Sequence, residues 1–222
     1  MQRKKPSFAF LFTVMCLSIT VLSILILATV SLIRLRKLSY TEIESATKEN
    51  VANMSSQAEA LIAAHSARLE YAAISAVPFM REPTVDKDAL SSYFGEMHAT
   101  SDSIIGIFCT NNLRWNSPGG YYASSIVWTP GDDWNNLERP WYQDAKKAQG
   151  KLVFTLPYVD ANTNQVIITL SRTVFDKDGR DLGVLGEDVS ITSLGSILEK
   201  HSTLPQQQSF FITQDGLFIT NP

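Results

Sequence analysis

Cysteine is nearly absent from the sequence, which has only Cys16 and Cys109. Cys16 lies in a long apolar run, so the rest of the chain contains a single cysteine and forms no disulfide within itself. This excludes the small disulfide-stapled scaffolds. A lone cysteine is usually a small buried apolar side chain, so Cys109 indicates no particular compartment.

Histidine is equally scarce, and His65, His98 and His201 stand far apart with no other ligand at metal spacing. We expect each to be a surface or partly buried side chain, and we expect no metal site and no cofactor. The sequence also lacks a glycine-rich phosphate loop and a Gly-x-Ser-x-Gly elbow. The stretch "DKDGRD" (176–181) has its glycine too early for a calcium loop, which favours a turn. We therefore predict that the chain is not an enzyme.

Acidic residues are missing from residues 1–37, which hold six of the 19 Lys and Arg. The remainder carries 13 basic against 22 acidic residues, a net charge of −9. A surface this acidic repels phosphates, because Lys and Arg dominate affinity for nucleic acid. We expect no nucleic-acid partner and no electrostatic adhesion to anionic lipid.

Charge of either sign is absent from Phe8 to Ile33. A helix of these 26 residues rises about 39 Å, which exceeds the ~30 Å of a bilayer's hydrocarbon. The apolar core of a cleaved signal peptide is only ~7–15 residues long. We interpret 8–33 as an uncleaved transmembrane signal anchor and 1–7 as a cytoplasmic N-terminus. Basic residues flank both ends, so the positive-inside rule gives a near tie for orientation.

Glycine is absent from residues 38–78, and Pro78 is expected to end that run. Apolar residues recur there at three- and four-residue steps: Val51, Met54, Ala58 and Leu61. The pattern predicts a long amphipathic, membrane-proximal helix. Its later part can pack on its own domain, and its first turns can pair with a second copy, so we expect a homodimer through helix 38–78.

Beyond residue 100 the sequence turns to short runs of β-branched and aromatic residues, at 103–110, 151–160, 165–176 and 182–191. The gaps between the last three are turn-sized, which predicts hairpins and an antiparallel sheet. Short helices are predicted at 85–99 and 193–201. A further hairpin begins at 209–220 and either joins the sheet or opens a second module. The expected fold class is α+β.

The stretch "ERPWYQDA" (138–145) places an arginine and two large aromatics at a helix start, where Pro140 fits the first turn. In one interpretation the aromatics fill core and Arg139 pairs with Glu138. Asp188 argues for another, because it interrupts the apolar strand "LGVLGEDVSI". An uncompensated carboxylate there is costly, so it needs a cationic partner, and a ligand can supply one.

These residues, in "WNNLERPWYQDA", "YVD" and "LGVLGEDVS", resemble the ligand-binding part of double-Cache (dCache) sensor domains of bacterial chemoreceptors and other transmembrane signal transducers. The resemblance covers roughly 38–222 and is sharpest over 119–191. In the amino-acid-binding branch it implies that Arg139, Trp141 and Tyr142 grip the ligand carboxylate. Asp188 would hold the ammonium group, with Tyr158 and Asp160 as the middle pair.

Trp134 departs from the family pattern, because it stands where the motif has tyrosine. Its indole N–H can donate a hydrogen bond but cannot accept one, which leaves amines as the alternative to α-amino acids. Independently of the resemblance, a zwitterion needs both signs of charge in its site. Charge-assisted hydrogen bonds contribute about 1.5–3 kcal/mol each, and micromolar affinity needs about 8 kcal/mol.

The resemblance implies a PAS-like antiparallel sheet with flanking helices, the ligand-binding Cache module, at 79–204. A second, membrane-proximal module is only begun at 205–222. The expected function is that of an extracytoplasmic sensor domain, anchored in the cell (inner) membrane and binding a small zwitterion, most simply an amino acid, for chemoreceptor-like signalling. The chain then resembles the front part of a receptor.

Three alternatives stay open at this point. The domain can be an amine sensor belonging to a diguanylate cyclase or a histidine kinase. It can be a structural dimerisation domain whose "pocket" residues are core. It can also be a membrane-anchored hydrolase using Asp160 and Asp188 as acid and base, although neither a nucleophile nor a metal set accompanies them.

Overall fold

A computed structural model of the protein describes residues 7–81, 85–200, 208–213, 216 and 218–220. The chain divides into two compact units, Met1–Asn53 and Met54–Pro222. One helix, α1 (Phe8–Met80), supplies residues to both. The segments predicted separately at 8–33 and 38–78 are thus continuous in a single helix.

The first unit consists, in its described part, of the N-terminal portion of α1, and its side chains are exposed from Ser7 to Glu49. The exposed surface between Phe8 and Ile33 is apolar, because no charged residue occurs there. By length and composition α1 can cross a membrane, and its apolar stretch lies near the N-terminus. The structure is therefore compatible with the predicted span.

The predicted stop of the long helix at Pro78 is wrong, because α1 continues to Met80. Proline in a helix removes one backbone hydrogen bond and crowds the preceding turn. Burial at the end of the helix offsets that cost, since Met80 is 2% exposed and packed in the hydrophobic core.

The second unit contains an antiparallel six-stranded sheet in the order β2-β1-β6-β5-β3, with β4 also paired to β5. Its elements are α2 (Lys87–His98), β1 (Ile104–Thr110), β2 (Tyr122–Ser124), a 3-10 helix (Asn136–Glu138), α3 (Pro140–Ala148), β3 (Val153–Phe154), β4 (Tyr158–Val159), β5 (Val166–Phe175), β6 (Asp181–Ser190) and α4 (Ile191–Lys200). The α+β prediction is confirmed.

Local differences from the prediction have simple causes. The run 151–160 forms two short strands, and Pro157 lies between them without a backbone N–H to donate. Strand β2 has only three residues, too few for a periodic signal. The turn at "DKDGRD" closes the β5–β6 hairpin as expected, with Asp176 accepting hydrogen bonds from the amides of Asp178 and Arg180, both at 2.9 Å.

The predicted hairpin at 209–220 is represented by one antiparallel bridge between Ile212 and Phe218. Residues 201–207, which include His201, lie outside the described part of the chain, as do 214, 215, 217, 221 and 222. Whether 205–222 opens a second module therefore stays a prediction.

One face of the sheet packs against α1 and α2. Leu69 of α1, Phe94 of α2 and Leu185 of β6 are all fully buried in this core. Asp86 caps the start of α2 by accepting a hydrogen bond from the amide of Ala89 at 2.9 Å. The last part of α1 thus belongs to the same hydrophobic core as the sheet.

The other face packs against α3, through Phe108, Trp141 and Val184. Phe108 lies across the sheet opposite Gly186, and a Cβ at position 186 would come within 2.7 Å of the ring. Glycine is therefore needed where the ring crosses β6. Ser171 and Thr173 of β5 also fasten α3, donating to the carbonyls of Trp141 at 2.8 Å and Ala145 at 2.9 Å.

A buried ionic cluster joins α1 to β6. Glu187 is fully buried and receives hydrogen bonds from His65 Nδ1 and from Arg68 Nη1, the latter at 3.1 Å. Ser103 contacts the other ring nitrogen of His65 at 3.0 Å. The expectation of a surface or partly buried histidine is wrong for His65, which is 2% exposed, because a carboxylate on the facing strand compensates its burial. His98 is half-buried and contacts Ser125 at 3.1 Å.

Replacing Leu69 by alanine should test whether the last turns of α1 belong to the folded domain. Leu69→Ala removes a fully buried side chain and should lower the free energy of unfolding by about 2–5 kcal/mol. Glu70→Ala, at the exposed neighbouring position, is the matched control and should change it by less than about 0.5 kcal/mol. Urea unfolding of the whole chain in detergent measures both. Equal, small effects would contradict this packing.

Candidate functional site

The candidate site is centred on Asp188, which β6 places on the face of the sheet that packs against α3. Alternation along the strand directs Glu187 to the α1 face and Asp188 to the opposite face. Asp188 is 8% exposed. It lies opposite Thr169 of β5, whose hydroxyl donates to Asp188 Oδ1 at 2.6 Å. The carboxylate is thus held by its neighbouring strand.

Burial is the main cause of a raised pKa of Asp188, which moves from 3.8 to about 8. The hydrogen bond from Thr169 and the charge of Arg139 lower this pKa, while the charges of Asp160 and Glu187 raise it further. A carboxyl group in this state is largely protonated at neutral pH, and a nearby cation favours its charged form.

Two tyrosines surround the carboxyl. The hydroxyl of Tyr158 lies 2.6 Å from Thr169 Oγ1, so Tyr158, Thr169 and Asp188 form a hydrogen-bonded chain. The pKa of Tyr122 is raised well above its usual value, first by burial and next by the charge of Asp188. Burial and then Asp188 also raise the pKa of Tyr158. Both tyrosines therefore keep their protons and can donate hydrogen bonds.

Arg139 immediately precedes α3, at the N-cap position with Pro140 as the first helical residue. Its guanidinium carbon lies 5.6 Å from the centre of the Tyr158 ring. Among the described residues, Arg139 forms no ion pair, and its buried Nε finds no hydrogen-bond partner. The alternative pairing with Glu138 is not formed, since Glu138 accepts instead from Asn135 at 2.8 Å.

Arg139 and Asp188 act on each other electrostatically without pairing. The positive charge of Arg139 lowers the pKa of Asp188, yet no ion pair of 4.0 Å or less joins the two side chains in the described part of the chain. Opposite charges near one pocket therefore remain available to a ligand that bears both signs.

Aromatic rings enclose this region. Trp134 packs against Tyr122 at 5.3 Å, Trp128 at 5.5 Å and Trp141 at 6.5 Å between ring centres. Trp141 also meets Phe108 edge-on at 4.9 Å. The indole N–H of Trp134 is buried and, within the described residues, has no hydrogen-bond partner. These rings keep water away and so strengthen electrostatic interactions inside the site.

A cleft of about 540 Å³ opens beside Arg139 and Trp134. Its lining residues are Trp128, Gly131, Asp133, Trp134, Asn135, Glu138, Arg139 and Ala161. The volume is within the range typical of small-molecule pockets. A second cavity, of about 410 Å³, lies at the end of the sheet near Arg81 and Asp181 and includes none of the seven predicted residues. The first cleft is the candidate because two of the seven predicted residues, Trp134 and Arg139, line it; Asp188 lies near Arg139 but is not among its lining residues.

Asp160 has a structural task as well as a charge near the site. Its Oδ2 accepts hydrogen bonds from the amide and hydroxyl of Thr163, at 2.7 and 2.8 Å, and from the amide of Asn162 at 3.2 Å. It therefore fixes the β4–β5 turn. Its negative charge still raises the pKa of Asp188, so it adds to the negative side of the pocket.

Tyr142 is placed differently from the other predicted residues. Its ring packs 6.0 Å from Trp141, but its hydroxyl donates to Asn112 at 3.0 Å, beside Lys146 and Asp181. Burial, followed by the charge of Asp181, raises the pKa of Tyr142 to about 12. The structure thus groups Asp188 with Tyr158, Arg139, Trp134, Trp141 and Asp160, and directs the Tyr142 hydroxyl elsewhere.

Three residues that surround the site were missed by sequence reasoning: Tyr122, Trp128 and Thr169. Thr169 had a usable signal, because Thr169, Ser171 and Thr173 alternate along β5 and make one face polar. Tyr122 and Trp128 had none, since β2 is short and Trp128 lies outside the regular elements.

Comparison with known proteins links the chain to one sensor family. The family model described as "Methyl-accepting chemotaxis protein-like, first PDC sensor domain" matches residues 59–196. The methyl-accepting chemotaxis protein McpB of Bacillus subtilis is 33% identical over 84 residues, or 38% of this chain. That match covers only 12% of McpB, so the chain corresponds to a small part of its curated relatives.

Two solved structures share the fold. The ligand-binding domain of the Pseudomonas fluorescens chemoreceptor CtaA, in complex with L-alanine, gives a TM-score of 0.63 at 20% identity, covering 80% of this chain and 72% of that one. The ligand-binding domain of the Pseudomonas aeruginosa amino acid chemoreceptor PctC, in complex with GABA, gives a TM-score of 0.61 at 18% identity. This match covers 80% of this chain and 74% of that one. The expected likeness to chemoreceptor sensor domains is confirmed.

Replacing Asp188 by asparagine should remove a pH dependence of stability. The folded state keeps a proton on Asp188 up to about pH 8, whereas the unfolded state loses it near pH 4. Stability therefore falls as pH rises through this window, by at most about 1.4 kcal/mol per pH unit. Asp188→Asn lacks this loss, so its stability advantage over wild type should grow from pH 5 to pH 8 and then level off.

Urea unfolding of the whole chain at several pH values measures this difference. Asp178→Asn, in the exposed β5–β6 turn, is the control and should track wild type throughout. A constant difference between Asp188→Asn and wild type from pH 5 to pH 9 would contradict the buried, ionisable state of Asp188.

Proposed function

Because the chain belongs to the family of methyl-accepting chemotaxis protein-like first PDC sensor domains, we propose that it is the sensor part of a membrane-anchored chemoreceptor that binds a small zwitterionic ligand. The ligand class is a free amino acid. The observation that carries the proposal is the presence of two side chains of opposite type, Asp188 and Arg139, near each other but not bonded to each other. Each is an ionisable group without an ion-pair partner among the described residues, and both lie beside the ring of Tyr158.

The ligand carboxylate is assigned to Arg139 and Trp134. Both have a buried N–H without a partner in the described part of the chain, and both line the 540 Å³ cleft. A carboxylate bound by a guanidinium gains charge-assisted hydrogen bonds. Trp134, which stands in place of tyrosine, suits this task because an ionised carboxylate only accepts hydrogen bonds and the indole N–H can donate one.

The ammonium group is assigned to Asp188, with Asp160 adding negative charge and Tyr158 closing the site. Charge-assisted hydrogen bonds to both ends of the ligand, at about 1.5–3 kcal/mol each, can together reach the ~8 kcal/mol of a micromolar complex. The solved neighbours hold L-alanine and GABA, each of which has one amino and one carboxyl group. These ligands support the assignment.

The sensor domain is placed outside the cytoplasm, anchored in the inner membrane by residues 8–33. Ligand binding at Asp188 changes the packing of β6 on α1, because the preceding residue in β6, Glu187, is bonded to His65 and Arg68 of α1. Helix α1 would carry that change toward the membrane. The output is chemotactic signalling, and no chemical step is assigned to Asp160, whose Oδ2 is occupied by its own turn.

Arg139→Ala should weaken amino-acid binding by about 10- to 150-fold, the equivalent of one charge-assisted interaction. Isothermal titration of the whole chain in detergent, at pH 7, with the proteinogenic amino acids and GABA measures this loss.

Asp188→Ala should abolish recognition of the ammonium group in the same titration. Arg180→Ala, an exposed arginine of the β5–β6 turn, is the control and should bind as wild type does.

Amines without a carboxyl group belong in the same titration. Binding of such amines that survives Arg139→Ala would replace the amino-acid assignment by an amine sensor. No heat from any compound with folded protein would favour a structural domain, and so would unfolding of Arg139→Ala.

The homodimer is assigned to the exposed apolar residues at the start of the membrane-proximal helix. Ile43 and Val51 are 50% and 55% exposed, and Val51 follows Ile43 by eight positions, slightly more than two helical turns. They therefore share one face, on which two copies can bury apolar surface.

Ile43→Glu should lower the dimer fraction, because it places a charge from each copy at the same interface. Light scattering of the whole chain in detergent measures the mass. The control is Ser45→Glu, about 200° round the helix from Ile43, which should leave the dimer intact. A mass unaffected by Ile43→Glu, or a wild-type monomer, would contradict this interface.

A further inference from the structure

We propose that Thr169 is a positioning residue of the ammonium site: it holds one oxygen of Asp188 and the hydroxyl of Tyr158, so that the other Asp188 oxygen serves the ligand. This inference rests on the proposed function and extends it to a residue outside the family motif quoted above. Thr169 touches Asp188, whereas the ligand is assigned to Asp188 itself.

The backbone of Thr169 is fixed on both sides. It lies opposite Asp188 in the β5–β6 register and is fully buried. Its amide donates to the hydroxyl of Thr155 at 3.0 Å, and its carbonyl accepts from the amide of Thr155 at 3.0 Å. A β-branched side chain on a fixed strand has few rotamers. The hydroxyl of Thr169 is therefore aimed rather than free to turn.

Hydrogen counting gives the Thr169 hydroxyl a defined direction. A threonine hydroxyl has one hydrogen, and here it goes to Asp188 Oδ1 at 2.6 Å. The contact of 2.6 Å between Tyr158 and Thr169 must then use the hydrogen of Tyr158. Ionised Asp188 thus orients both hydroxyls. Within the described residues no hydrogen bond reaches Asp188 Oδ2, which leaves that oxygen for an ammonium group.

Charged and titratable groups on the neighbouring elements act on Asp188. They are Arg139 before α3, Tyr122 of β2, Tyr158 of β4, Asp160 of the β4–β5 turn and Glu187 of β6. Burial and the two acids oppose the charge on Asp188, while Arg139 and the Thr169 hydroxyl favour it. Removing that hydroxyl should therefore make ionisation of Asp188 harder.

The same strand offers a matched control. Thr173 is 1% exposed and belongs to the same face of β5. Its hydroxyl donates to the carbonyl of Ala145 at 2.9 Å, under α3. Thr169→Val and Thr173→Val remove the same atoms from equally buried positions, and only the first should affect Asp188.

The test is an infrared titration of the Asp188 carboxyl in the whole chain in detergent. Asp188→Asn identifies the signal by removing it. Thr169→Val should raise the midpoint by about one to two pH units, the equivalent of one charge-assisted hydrogen bond. Thr169→Ser, which keeps the hydroxyl, should restore the wild-type midpoint, and Thr173→Val should leave it unchanged. Thermal unfolding checks that each variant is folded.

A second measurement, isothermal titration at pH 7, uses L-alanine, L-isoleucine and GABA as probes. Thr169→Val should weaken whichever probe wild type binds by about tenfold or more, and Thr169→Ser should recover most of the affinity. A carboxyl midpoint that Thr169→Val leaves in place, or that Thr173→Val moves equally, overturns the inference even if amino acids bind. If the midpoint moves but wild type binds no probe, the proposed function fails, and with it the ligand role of Thr169.

Discussion

Two adjacent carboxylates in one central strand set the main constraint on this structure. Glu187 and Asp188 are both buried in β6, with 0% and 8% exposure, on opposite faces of the sheet. A buried charge is costly unless it is paired. The α1 face provides His65 and Arg68 for Glu187, whereas the α3 face gives Asp188 a threonine hydroxyl and a distant arginine. The fold thus supplies cationic partners for Glu187, whereas Asp188 has no ion-pair partner among the described residues.

This asymmetry explains why the pocket lies on the α3 side. The α1 face is filled by large apolar side chains such as Leu69 and Phe94, and Glu187 is paired there with His65 and Arg68 through Oε1. The α3 face, in contrast, carries aromatic rings and hydroxyl groups, including those of Trp141, Tyr158 and Thr169. These groups can enclose a polar ligand because they combine apolar surface with donors at their edges.

Sequence reasoning reached Asp188 and Arg139 because each breaks a local rule. Asp188 interrupts an apolar strand, and Arg139 stands with two large aromatic residues around a helix-starting proline. The same reasoning could not separate Trp141 from Tyr142. Successive helical residues point about 100° apart, so when Trp141 faces the sheet its neighbour turns toward Asn112. Only the docking angle of α3 decides which of the two packs against Trp134.

Partners across strands were harder to predict than the elements. The hairpins could be predicted from the short gaps between strands. The placement of β1 beside β6, in contrast, depends on the whole sheet. The pairing of Glu187 with His65, 122 positions away in α1, depends on it too. Thr169 faces Asp188 only because the register between β5 and β6 pairs these two positions. A shift by one residue would bring Leu170 or Ile168 there instead.

Burial also determines how the site would respond to its ligand. With its pKa raised to about 8, Asp188 is largely protonated at neutral pH when no cation is present. An ammonium group that binds there favours the ionised form, so binding releases a proton. Part of the interaction energy is used to ionise the carboxyl, which lowers the affinity at neutral pH. In return, an empty site avoids a buried uncompensated charge.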